Sequence, residues 1–164
     1  MSIDLIEVQV QGPPGPPGSS APFYGQASRM TTGTIDVATQ GVYQPTGLTA
    51  TFDSANASGV IYATTNTFGL KNNSGLTKLF RVYGSIDARS SNNELLGIKL
   101  AKNGVAVNET ECKAFGASGH EAKLVTSWMI SLADQDEVSL LIANHSSTVD
   151  ITFGRGRILM SAVN

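Results

Sequence analysis

Cysteine is almost missing from this chain. Among 164 residues there is one, Cys112, which excludes an intramolecular disulfide framework and any multi-cysteine metal site. Charge is scarce as well: Asp, Glu, Lys and Arg make up 15% of the residues, where about 25% is typical of soluble domains. The formal net charge is −2, so the basic excess that marks a nucleic-acid binder is absent. No run approaches the roughly 20 apolar residues of a membrane-spanning helix, and no membrane or nucleic-acid partner is expected. The N-terminal stretch Met1–Glu7 carries acidic groups where a signal peptide carries basic ones, and no apolar segment comes after it. Export through a cleaved signal is therefore not expected.

Residues able to carry chemistry are equally thin. His120 and His145 are the only histidines. His120-Glu121 begins like a zinc-protease helix, but Leu124 stands where the second histidine belongs. Glu109 and Glu111 offer two carboxylates that would suit a calcium ion or simply a solvated rim, since hard cations want several convergent oxygens. Cys112 has no histidine near it in sequence to act as a base. Gly154-Arg155-Gly156-Arg157 starts like a dinucleotide fingerprint, but Leu159 replaces the third glycine and no βαβ unit surrounds it. It reads either as an anion or partner contact or as a bulged strand with exposed charges. Sequons begin at Asn56, Asn72, Asn108 and Asn144, and carry little weight without a secretory signal. No acid, base and nucleophile set can be assembled. The expectation is a protein that is not an enzyme and holds no cofactor or metal.

What is present is a short period of three. Gly12-Pro13-Pro14-Gly15-Pro16-Pro17-Gly18 places glycine where a triple helix crowds its axis, with proline pre-setting the extended backbone between. Two triplets cannot hold three chains together alone, so any trimer has to be driven by the residues C-terminal to them. The competing reading is a solitary polyproline spacer. Before it, Ile6, Val8 and Val10 alternate with Glu7, Gln9 and Gln11, the pattern of one half-buried strand. An isolated strand needs a partner, so residues 1–11 read as a docking arm in preference to a frayed terminus, with 12–22 a stalk and linker and 23–164 the main domain.

That domain reads as all-β. Strands are expected at Thr34–Val37, Leu48–Phe52, Val60–Thr64, Thr67–Leu70, Leu76–Ala88, Glu94–Lys102, Val105–Asn108, Lys123–Leu132, Glu137–Asn144 and Val149–Val163. Asn103-Gly104 is a strong hairpin signal because both central turn positions want positive φ. Residues 121–143 fit a helix too, through Leu124, Trp128 and Leu132, but their β-branched and aromatic content and the break at Asp134-Gln135-Asp136 favour two strands. The stretch Leu76–Ala88 is apolar on both parities, as in a strand at an oligomer interface. Phe80, Val82 and Tyr83 are the candidate interface residues. Some ten short strands with regular turns define a sandwich or jelly roll.

The segments Leu95–Gly104, Trp128–Leu140, Ile142–Asn144 and Ile158–Val163 together resemble the tumour-necrosis-factor-like jelly roll, in the version found in complement collagen-like heads and in phage and spore-surface proteins. The resemblance spans residues 34–163, and it implies a trimeric head preceded by a collagen segment. Two departures, the tiny collagen part and the strand-like arm before it, point toward a phage virion protein. The implied role is structural: a homotrimeric capsid decoration, cement protein or head-fibre knob on the virion surface. Such a protein is made in the host cytoplasm and docks on the major capsid protein or another virion protein through Ile6, Val8 and Val10. The alternative is the receptor-binding tip of a tail fibre that recognises a host-surface glycan or protein; the fold alone does not choose between them.

Overall fold

The computed structural model describes residues 22–62 and 68–163. The arm with Ile6, Val8 and Val10 and the collagen-like run Gly12–Gly18 lie outside the described residues. Among those described, thirteen strands form two antiparallel sheets. Sheet A runs in the order β11 (Ala122–Leu132), β7 (Lys78–Arg89), β13 (Ile151–Ala162), β1 (Tyr24–Arg29) and β4 (Thr51–Phe52), with β2 (Gly33–Ile35) beside β13. Sheet B runs β10 (Cys112–Gly116), β8 (Glu94–Lys102), β12 (Glu137–Asn144), β6 (Gly69–Asn72) and β5 (Val60–Tyr62). Beside β12 lies β3 (Gln44–Pro45), and beside β8 lies β9 (Val105–Ala106). No α-helix occurs among the described residues.

Alternation explains the core. Successive strand side chains point to opposite faces, and Phe80, Val82, Ile86 and Ala88 of β7 all fall on the inner one. They meet Leu124 and Leu132 of β11, Phe153, Ile158 and Met160 of β13, and Leu96, Ile98, Leu100, Leu140 and Ile142 from sheet B. Phe68 and Phe153 tilt against each other with ring centroids 6.0 Å apart. Phe80 and Val82 are 0% exposed. The expectation that they form a trimer interface is therefore corrected: both are spent on the protomer's own core, and only Tyr83 of that trio lies on the outer side.

The hairpin at Asn103-Gly104 forms as its residues require, with φ of 48° and 80°. Residues 121–143 are two strands, β11 and β12, joined by a tight turn in which Ala133 donates its N–H to Asp136 Oδ2 at 2.9 Å and Gln135 takes φ of 69°. Three strands had no sequence signal. In β1 and β10 the inward positions are Gly25 and Ala27, and Cys112 and Ala114, too small to read as an apolar stripe. β3 is two residues long and includes a proline.

Two buried asparagines close the loops. Asn72 donates to the carbonyls of Leu76, Leu132 and Ala133 at 2.8–3.1 Å and accepts from the N–H of Ser74. Asn144 donates to Val149 O and to Glu94, a carboxylate only 4% exposed that also accepts from the hydroxyls of Ser90 and Ser147. Both sequons that begin at these residues are structural, since their amide nitrogens are buried and already committed.

One residue changes the phase of β13. The register with β7 shifts between Phe153 and Arg155, where Gly154 forms a bulge. Strict alternation from Ile151 and Phe153 would send Arg155 and Arg157 into the core. The extra residue flips the parity, so Phe153 and Ile158 both face inward while both arginines face out. A side chain at position 154 would collide with Glu121 Oε1 at 2.5 Å and crowd Asp87 O at 3.2 Å.

Candidate functional site

The two outer faces of the sandwich differ in chemistry. Sheet B is laced with charge over much of its outer side, and its exposed apolar side chains lie on edge strands: Phe115 on β10, Val105 on β9 and Ile61 on β5. Its outward residues Leu141 and Ala143 are buried, 5% and 1% exposed. Ion pairs Lys71–Glu137, Lys99–Glu111 and Lys113–Glu111 lace the surface at 3.2–3.4 Å. Tyr43 reaches across from the connection before β3. Its hydroxyl donates to Glu111 Oε1 at 2.8 Å, His145 Nε2 lies 3.2 Å from it, and Lys99 Nζ stands 4.4 Å from its ring centroid. Tyr43 Oη spends its proton on Glu111, so His145 Nε2 carries the hydrogen of the second contact.

This network titrates. Burial works to raise the Glu111 carboxyl, but hydrogen bonds from Tyr43, Lys113 and Lys99 outweigh it and bring the group down to about 2 from 4.5. Asp136, hydrogen-bonded by Asn103 and Lys102, is likewise held at about 2. Burial, with the charges of Lys113 and Lys99, depresses His145 against the opposing pull of Glu111. Burial and the Glu111 hydrogen bond push the Tyr43 hydroxyl well above its usual range. A depressed histidine is stabilising only while neutral, so stability falls as pH drops through 6.5, the unfolded value, toward the lowered folded one. Depressed carboxyls contribute above about 4.5 and lose that contribution as pH falls toward 2. The expected melting curve is therefore a plateau above neutrality and a decline in two stages on acidification. His145→Gln should remove the first stage, which differential scanning fluorimetry from pH 8 to 3 reads directly.

Sheet A is not covered. Its outward residues form rows set by register: Met129, Arg81, Ser161 and Tyr24 across one row, Ser127, Tyr83, Leu159 and Gln26 across the next, then Val125, Ser85, Arg157 and Ser28. Tyr24, Leu79, Val125 and Met129 are 40–47% exposed. Tyr83 and Leu159 adjoin in the middle row with Met129 and Val125 on the strand beside them, while Arg81 and Ser161 separate Met129 from Tyr24. Leu79, Met129 and Tyr24 lie toward one rim, where Arg81 is also exposed, and Val125 lies nearer the other. Toward the opposite rim the face becomes cationic, with Lys123 and Arg155 flanking Asp87 in register and Arg157 one row below.

The remaining sequence candidates do not converge on either face. His120 is exposed in a hairpin paired with Ala117. Glu109 sits in a short 3-10 turn and not on a strand beside Glu111. Cys112 packs against the core. Among the described residues, no group of three His, Cys, Asp or Glu side chains lies close enough to hold a metal ion. Sequence reasoning missed Leu79, Met129 and Leu159 as surface residues because parity alone does not say which side of a strand faces the other sheet.

No family model matches the chain, and no curated protein matches it. Solved structures do. The structure of Eiger, a TNF from S. frugiperda, superimposes over 87% of this chain and 93% of its own with a TM-score of 0.61 at 8% identity. Vertex protein P5 of PRD1 matches over 87% of this chain and 97% of its own, with a TM-score of 0.50 and 16% identity. The chain therefore has a TNF-like jelly-roll fold.

Proposed function

We propose that this is a non-enzymatic structural protein of a virus particle, a homotrimeric decoration protein or head-fibre knob whose trimer is closed through the outer face of sheet A. The observation that carries this is the contrast between the two outer faces. Sheet B laces its outer side with ion pairs, buries Leu141 and Ala143 in its centre and exposes apolar side chains on its edge strands, Phe115 on β10, Val105 on β9 and Ile61 on β5, whereas sheet A leaves Tyr24, Leu79, Val125 and Met129 open beside Tyr83 and Leu159 of its central strands. A second and third copy of this chain supply the missing cover, and closed symmetry starts three chains in register for a collagen-like stalk. Support for a virion setting comes from the arm-and-stalk order of the sequence and from the likeness in fold to a vertex protein.

Attachment falls to Ile6, Val8 and Val10, which offer one apolar edge for adding a strand to a capsid sheet. Three arms per trimer turn a weak single contact into a firm one through effective concentration. Two measurements test this. A truncated chain starting at Phe23 should still run at three times 17.2 kDa in light scattering, less the mass of the missing arm, since two triplets contribute few interchain bonds. The full chain with Val8→Asp and Val10→Asp should remain a trimer and lose particle binding. A monomeric truncation would make the stalk the driver of assembly, and a double variant that still decorates particles would move the contact to the knob.

A further inference from the structure

The cationic end of the sheet A face contains a cleft of about 410 Å³. Ser28, Ser85, Gly156, Tyr83, Lys123 and Arg157 are among the residues that line it. Three cations, Lys123, Arg155 and Arg157, line it, against Asp87 inside and the Glu121 carboxylate beside Gly154 and Arg155. Its one carboxylate, Asp87, is bound to Arg155 at 2.6 Å. Among the described residues, no carboxylate lies within ion-pair distance of Arg157 or Lys123. The local sequence is built to present this excess: the bulge at Gly154 is what turns both arginines outward onto the same face. Two serine hydroxyls lie in register with Arg157, Ser85 on β7 and Ser28 on β1. Guanidinium, ammonium and hydroxyl donors converging on a concave floor suit a tetrahedral oxyanion with several acceptor oxygens.

Covering this face removes water from those cations, and a buried ion without a counter-charge is strongly destabilising. We propose that a small oxyanion of the sulfate or phosphate class occupies the Arg157–Lys123 cleft in the assembled protein and supplies the missing negative charge. This rests on the trimeric reading, because a single copy in water has no need of the ion. Binding of the anion to the assembly alone stabilises it by mass action.

The test uses the full chain. Light scattering and thermal melting are run in phosphate, in sulfate and in chloride at matched ionic strength. The expected result is a trimer whose melting midpoint rises by about 3–5 °C for each tenfold increase in phosphate or sulfate, beyond saturation of the site. Chloride should not reproduce that rise, and Arg157→Gln or Lys123→Gln should abolish it while leaving the fold intact. A trimer that melts at one temperature in all three salts overturns the site and leaves the assembly standing. A trimer indifferent to phosphate yet weakened by Arg157→Gln would mean that a carboxylate of a neighbouring copy fills the cleft, which also overturns it. A monomer in every buffer removes the trimeric reading and the site with it.

Discussion

Leu159→Asp is expected to dissociate the proposed trimer into folded monomers, lowering the mass in light scattering from three times 17.2 kDa to 17.2 kDa. Leu159 lies on β13 between Tyr83 and Gln26, in the middle of the sheet A face. Its neighbours in the chain, Ile158 and Met160, point inward and are 0% exposed, so the substitution leaves the core untouched. In the assembly the aspartate has to be desolvated in every copy. Loss of apolar burial removes roughly 1.5–3 kcal/mol per side chain, and an unpaired buried carboxylate adds several more. Three such sites exceed what a protein interface of ordinary size holds in reserve. Far-UV circular dichroism should be unchanged. A variant that still sediments as a trimer would assign the contact to another surface, and Met129→Asp on the neighbouring row repeats the test independently.

Phe80→Ala is expected to do the opposite: to unfold the protomer without addressing the interface. Phe80 is fully buried and belongs to the intersheet core. Truncating a buried phenylalanine costs about 3–5 kcal/mol through lost transfer free energy and the cavity left behind. Domains of this size hold about 5–15 kcal/mol in total, so the urea midpoint should fall by about a fifth or more. Tyr83→Ala, three residues along the same strand and on the outer side, should leave the protomer's midpoint nearly unchanged and weaken association. Equal effects of the two substitutions on denaturation and on mass would contradict the division of β7 into a core side and an assembly side.

How far the fold could be read from the chain depends on what each strand buries. β8 and β12 begin and end where their residues indicate, Glu94–Lys102 and Glu137–Asn144, because both are rich in Leu, Ile and Val and are bounded by turn residues. The Asn103-Gly104 turn was legible because positive φ at two consecutive positions selects few residues. β1 and β10 were illegible for the converse reason. Their inward positions are glycine, alanine and cysteine, which fit close approaches between elements and leave no hydrophobic period. The assembly face was half legible. Two-sided apolar character singled out the stretch that became β7, but alternation does not say which parity meets the partner sheet. Phe80 and Val82 were assigned to the wrong side on that account. The phase change at Gly154 is a further obstacle, since one inserted residue makes any simple count along β13 fail halfway.

The strand register also makes the molecule polar. Tyr24 pairs with Ser161, so the segment arriving from residue 22 and the segment leaving at residue 163 share one rim of sheet A, beside Leu79 and Leu132. The connections at 90–93, 117–120 and 145–150 lie at the other rim, where Ser90, Ser91, Ser118 and Val149 surround a common hollow. Tether and loops are thus at opposite poles. Tethering through the N-terminal side, as in the proposed function, would point the serine- and asparagine-rich pole outward, and a peptide inserted between Ser91 and Asn92 would travel there with it. In the proposed trimer, three copies would present three identical inserts at that pole, on the side opposite the segment arriving from residue 22.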